Sequence, residues 1–282
     1  MRDRVRPADR LALWLSRITI WLVIIIFLFP VIWVVSASLG KGDTFYQGSV
    51  FPAELSFENY VLLFQTSENL NFVRAMLNSI WLCTGVSVIQ LLMTGSAAYA
   101  FSRIRFRGRK NGLMFLLLIQ MFPAGMAIAA IYTLLYYFNA LDSIWALMLF
   151  LAGGSAFNIW ILKGYMDALP YEIDEAAKVD GCNHWQIFYK VIIPMAMPMF
   201  AVIFLFSFIG TYSEFMISSA ALQSMDMQTV AVALQKFINN QFDAHWTMFA
   251  AASVVASVPL MIVFLVLQKY IAGGLMAGGV KE

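Results

Sequence analysis

Five of the sixteen acidic residues fall in one stretch, GYMDALPYEIDEAAKVDGCNHWQIFYKVIIP, Gly164 to Pro194: Asp167, Glu172, Asp174, Glu175 and Asp180. Clustered carboxylates can carry general acid–base chemistry. That chemistry needs a partner base, a metal-ligand spacing or a nucleophile in a recognisable constellation, and the stretch shows no such constellation; the two histidines are isolated from each other. No catalytic residue, metal site or bound cofactor is expected in this chain. It also lacks a G-x-x-x-x-G-K-[ST] phosphate loop, so it is not expected to hydrolyse ATP itself. The other chemistry this pattern offers is docking. Ala176 and Ala177 are small enough for another surface to approach closely, and the acids around them give that surface a charge to pair with. An ordinary solvated amphipathic helix fits the same spacing.

A second group draws notice because of where it lies. Glu214 is the one ionisable residue within an apolar run that is otherwise free of charge from Val191 to Asp226. A charge at membrane depth is a functional candidate. The alternative is a place at the outer interface.

The elements that position these residues follow from composition. The 282 residues are 61% hydrophobic and only 12% charged, and the mean hydropathy is +0.77. A soluble domain would carry about 25% charged residues. Apolar runs near 18–39, 76–101, 113–138, 144–162, 195–214 and 247–268 are long enough to cross a bilayer as helices. Pro123, Pro198 and Pro259 are expected to kink or break the runs that hold them. The first run follows five arginines and ends near Ser36-Ala37-Ser38, like a secretory signal. It is longer than a signal core of about 7–15 residues, so it is read as a retained helix. Cys83 and Cys182 belong to different membrane levels, and no disulfide is expected.

The basic residues sort by side. Fifteen of the eighteen lie in the N-terminal tail (1–17), the second connection (Arg103–Lys110), the fourth connection (163–194) and the C-terminal tail (269–282). The positive-inside rule puts these segments, and both termini, in the cytoplasm. Trp14, Trp21, Trp160, Tyr165 and Tyr270 mark the inner interface, and Trp33, Trp81 and Trp246 the outer one. On the outer side Met227, Val230, Leu234 and Phe237 recur at helical spacing, which fits a short helix packed on the bundle.

The acidic connection reads as helix–Gly–helix. Pro170 suits the first turn, Glu172, Asp174 and Glu175 suit the positive end of the helix dipole, and Gly181 suits the position just past the helix end. Asn183 and Gln186 form a capping-box pattern. A second helix is expected through Trp185 and Phe188 to Val191, with Pro194 at the membrane entry.

Glu175-Ala176-Ala177, Gly181, nine further residues and Val191-Ile192-Ile193-Pro194 resemble the EAA signature of ABC-importer permeases, E-A-A-x-x-x-G-x9-I-x-L-P, with Val191 and Ile193 as conservative departures. Tyr99–Arg109, Gln120–Ala124, Leu162–Pro170 and Gly273–Glu282 are similar to the carbohydrate-importer permeases, and among them to the maltose/maltodextrin type. The resemblance implies an all-α, polytopic, type I permease of six transmembrane helices in a prokaryotic cytoplasmic membrane. It implies that 163–194 is a coupling loop, in which Glu175, Ala176, Ala177, Asp180 and Gly181 meet a cytoplasmic ATPase. It implies that the tail, with Gly278, Gly279 and Lys281, reaches the ATPase pair. ATP and magnesium would be bound there, not here. The implied partners are a second permease, two ATPase copies, an extracytoplasmic solute-binding protein that meets part of the 218–246 loop, a sugar and the bilayer; no nucleic acid is expected. The implied function is ATP-driven import of maltose or maltodextrin. Candidate path residues are Gln90, Gln120, Tyr212 and Glu214, among other in-span polar residues (Asn78, Ser79, Thr84, Ser87 and Asn158) that also suit interhelical hydrogen bonds. An ion-gradient-driven sugar carrier is the alternative. The scarcity of buried charge argues against it.

Overall fold

A run of apolar residues in hydrocarbon must satisfy its backbone internally, and helices do so. The computed structural model describes residues 7–42, 51–52, 54–65, 71–153, 155–239 and 245–279, and among them no strand forms beyond an isolated bridge between Gly40 and Leu55. Two units separate, Met1–Thr66 with Leu234–Ala256, and Ser67–Ala233 with Ser257–Glu282.

The first unit contains α1 (Pro7–Ser38) and α2 (Glu58–Leu63). Helix α1 starts well inside the expected 1–17 tail. None of its most apolar window is buried, as befits a helix apolar all round. Its end is tied down by polar contacts: Asn59 Nδ2 donates to the carbonyls of Ser38 and Gly40, and the hydroxyls of Ser38 and Tyr60 meet at 2.7 Å.

The second unit is built around α3 (Phe72–Arg103), with α4 (Arg109–Gln120), α5 (Ile128–Tyr137), α6 (Ile144–Ala152), α7 (Ala156–Asp167), α8 (Tyr171–Val179), α9 (His184–Gln186), α10 (Ile193–Tyr212) and α11 (Met216–Ala221). Two further helices, α12 (Val230–Lys236) and α13 (Trp246–Gly279), run through the boundary between the units. Among the described residues four helices are long and apolar enough to span a membrane, or up to six if each of two bent pairs is one span. Pro123 lies at the break between α4 and α5, which bend by 71°. The expected run 144–162 is also broken, by 50° between α6 and α7. Pro198 and Pro259 lie inside α10 and α13 without interrupting them.

Two corrections concern the acidic connection. Pro170 is the residue before the first turn rather than within it, with φ −56° and ψ 131°. Its ring presets an extended entry, and Tyr171 opens the helix. The second loop helix does not end near Val191. His184–Tyr212 is one helical run, joined by a π-helical stretch, Ile187–Ile192. There Ile193 N–H reaches back to Phe188 O. The wider turn shifts the backbone ladder just where Pro194 has no N–H to give.

Among the described residues, apolar packing along α3 includes two clusters. One holds Leu82 and Val86 with Ile131, Leu147, Ile217 and Leu222. The other holds Ala98, Tyr99 and Phe101 with Leu162, Met166, Ile187, Ile192 and Phe200. At Gly95 an added Cβ would come within 2.8 Å of Phe200 Cε1, so α10 approaches where α3 is slimmest.

Candidate functional site

The end of α8 and the start of α9 follow local rules. At its C-terminus Gly181 has φ +82°, and Cys182 N–H donates to Ala177 O while Gly181 N–H donates to Lys178 O, both at 3.0 Å. That pair of bonds is a Schellman closure. Two residues on, the Asn183 side chain accepts from Gln186 N–H at 2.9 Å and the Gln186 side chain accepts from Asn183 N–H at 2.8 Å. The expected capping box is present.

Helical spacing then divides α8 into two faces. Asp174 and Ala177 are buried, and Ala177 belongs to the cluster of Leu162, Met166 and Ile187. Glu172, Glu175, Ala176 and Val179 are exposed, as are Asp180 and Gly181 beyond the helix end. Of the two small residues expected to admit a partner, only Ala176 is available; Ala177 is spent on packing against the bundle. Val179 is 88% exposed. It lies one turn from Glu175 and Ala176, and sequence reading passed over it because a lone valine carries no signal. Trp185 and Tyr189 add exposed aromatic surface on the following turns.

Asp174 is bound to Arg103, the last residue of α3. Arg103 Nε and Asp174 Oδ2 lie 3.0 Å apart, with side chains 5% and 3% exposed. The two groups are not aligned as a hydrogen bond, so charge attraction holds the pair. Arg103 Nη2 donates to Leu169 O at 3.0 Å, and its guanidinium lies 4.9 Å from the Tyr171 ring centroid. One arginine therefore grips the helix at its entry, at its first residue and at Asp174, the end of its first turn. Beside it Ser102 donates to Asp167 Oδ1 at 2.6 Å, and Lys163 Nζ pairs with Asp167 Oδ2 at 2.5 Å. Arg103 counted only towards topology in the sequence, and Asp174 only as a dipole acid. Their pairing spans 71 positions and leaves no local signature.

The path candidates do not converge on one another among the bonds they make. Gln90 Nε2 donates to Leu151 O at 3.0 Å, and Gln120 Oε1 accepts from Phe157 N–H at 3.1 Å. Thr94 Oγ1 donates to Ser155 Oγ at 3.0 Å. All three meet backbone or side-chain groups at the break between α6 and α7, where a helix interrupted at membrane depth leaves groups to satisfy. Tyr212 is buried, stacked on Phe208 at 6.0 Å, with its hydroxyl 3.7 Å from Met76 Sδ. Glu214 caps α11. Its carboxylate accepts from Ile217 N–H at 2.6 Å, Ser218 N–H at 2.9 Å and Ser218 Oγ at 2.5 Å.

In the second and third turns of α3, Asn78 Nδ2 donates to the carbonyls of Asp226 and Gln228, and Val230 N–H donates to Ser79 Oγ. These two polar residues of α3 anchor residues 226–230, within the 218–246 loop. Val230 and Phe237 are buried and Met227 and Leu234 half-buried. In the tail, α13 continues through Gly278 and Gly279, and Lys281 lies outside the described residues.

Residues 92–276 match the family described as the binding-protein-dependent transport system inner membrane component. The chain belongs to this family. It is 36% identical over 258 residues to the galactooligosaccharides transport system permease protein GanQ of Bacillus subtilis (strain 168), covering 91% of each. It is 33% identical over 294 residues to the maltose/maltodextrin transport system permease protein MalG of Escherichia coli (strain K12), covering 98% of this chain and 99% of that one. A bacterial ABC transporter involved in the import of the acidic polysaccharide alginate shares the fold, with a TM-score of 0.76 over 95% of this chain and 99% of that chain at 24% identity. The permease is therefore of the ABC-importer kind, in its carbohydrate group, and a multi-pass inner-membrane protein. Its match to the family takes in α8, the π stretch and both breaks.

Proposed function

We propose that the permease forms half of an ATP-driven path for a neutral oligosaccharide, with maltose or maltodextrin as cargo, and that α8 is its coupling helix. The reading is carried by the division of α8 into two faces. The buried face is locked to α3 through Arg103 and Asp174. The exposed face offers Glu172, Glu175, Ala176 and Val179, an acidic rim around a small apolar patch. A basic-rimmed cleft on an ATPase subunit complements it. The basic connections support a cytoplasmic position for this face and for both termini.

A helix docked on one face and clamped on the other transmits displacement into α3. Because the second loop helix is continuous with α10, motion of the loop also enters that span without a joint. The partners in this reading are a second permease, two ATPase subunits that bind ATP and magnesium, and a solute-binding protein on the outer side. Glu214 weighs against an ion-gradient carrier, since its carboxylate is already held by three donors around α11.

The test is uptake in membrane vesicles loaded with ATP, using labelled maltotriose and a labelled galactooligosaccharide in turn. ATP-dependent, ionophore-resistant uptake of maltotriose is expected. Uptake that collapses with the ion gradient would sink the ATP-driven reading, and preference for the galactooligosaccharide would reassign the cargo alone.

A further inference from the structure

On the loop's side of the bundle, α4 and α7 flank a cavity of about 1170 Å³. Its wall has two chemistries. Arg105, Arg109 and Lys110 line one part, and Met114, Leu117 and Trp160 line another, on helices that belong to the bent membrane spans.

Among the described residues the charges on this wall do not balance. Asp167, the one acid on the wall, is engaged by Lys163 and Ser102. Arg109 is accounted for: its Nε and Nη2 donate to the carbonyls of Phe101 and Ser102 at 2.9 and 2.6 Å, closing the end of α3. Among the described residues Arg105 and Lys110 have no acidic partner within ion-pair distance. Lys110 moreover sits in the first turn of α4, where the helix dipole disfavours a cation. That turn has no acid, and its cap, Gly108, offers no side chain. Topology alone asks for cations on this side. It would be served as well by cations in open water as by cations in a cavity at a helix N-terminus.

We propose that this cavity binds an anionic phospholipid, with its phosphate between Arg105 and Lys110 and its acyl chains along Met114, Leu117 and Trp160. The apolar wall favours a lipid over free phosphate, which would leave that wall without a partner. A zwitterionic headgroup would bring its ammonium against Arg105 and Lys110 while Asp167 is already engaged. Basic pockets between transmembrane helices are suited to such headgroups. The site is independent of how α8 docks.

The test is native mass spectrometry of the full-length chain, purified from membranes with its associated subunits and supplied with phosphatidylglycerol or phosphatidylcholine. Wild type is expected to retain phosphatidylglycerol at least fivefold better. Arg105→Gln with Lys110→Gln should abolish that preference, and Trp160→Ala should weaken retention of the lipid. Arg107→Gln, an exposed cation outside the cavity, should change nothing. Equal retention of the two lipids by wild type, or unchanged preference in the double variant, overturns the site. Displacement of the lipid by millimolar inorganic phosphate, with Trp160→Ala without effect, overturns the lipid and leaves a free-anion site.

Discussion

Arg103 and Asp174 illustrate what one buried pair can decide. Removing one member of such a pair leaves an uncompensated charge, at a cost of about 3–5 kcal/mol, whereas replacing both by apolar groups is often neutral. Asp174→Ala is therefore expected to lower the melting temperature of the purified chain, and Arg103→Met with Asp174→Leu to restore most of the loss. A double variant as unstable as the single one would show that the charges themselves are required. Between α5 and α6 Asp142 makes a smaller clasp. Its Oδ1 accepts from the N–H groups of Gln223 and Ser224 at 2.6 and 2.7 Å. Burial pushes this carboxyl up, but the Ser224 and Gln223 donors outweigh it and hold the pKa below its usual value. A lowered folded pKa means that the clasp is fully present above the unfolded value, about 3.9, and is lost as pH falls through the folded one. Stability above pH 5 should thus drop slightly in Asp142→Asn, and the gap from wild type should close as pH falls below about 4. Chemical denaturation at several pH values reads both.

The acidic connection behaves as an element because its two halves are stopped and started by separate local devices. Gly181 sits at φ +82° with nothing within 4 Å of where a Cβ would stand. Gly181→Ala therefore meets strain and no clash, worth about 1 kcal/mol. The expected outcome is faster hydrogen exchange in 171–182 and little change in the spans; slower exchange there would mean that the turn is not a strained one. The same devices explain why this part was legible. Caps, a glycine turn and dipole-compatible acids are all short-range, and they are written in consecutive residues. The expected break at Pro123 was legible for the same reason. The break between α6 and α7 was not, because its polar groups are satisfied by Gln90, Thr94 and Gln120 from other helices.

At the scale of the whole molecule, two carboxylates should separate in function. Glu175 lies on the exposed face of α8, and Glu214 is consumed in capping α11. Glu175→Lys is expected to reduce ATP-dependent uptake at least tenfold while the chain still inserts and folds. Glu214→Gln keeps an acceptor oxygen for the cap and should alter uptake less than twofold. Transport assays with matched expression distinguish the two. Equal losses would place Glu214 in the path, and full activity of Glu175→Lys would remove α8 from coupling.

The amino-acid sequence by itself determined that the chain crosses a membrane in helices, which side is basic, and that Gly164–Pro194 folds as two capped helical pieces. Each of these depends on composition or on neighbours within four or five residues. Only the tertiary structure decided which face of α8 is free, that Ala177 is buried and Val179 is not, and that Arg103 holds Asp174. It also decided that the second loop helix continues into α10. Burial and ion pairing join residues distant in the chain, and periodicity shows that a helix has two faces without saying which one a neighbouring helix will cover.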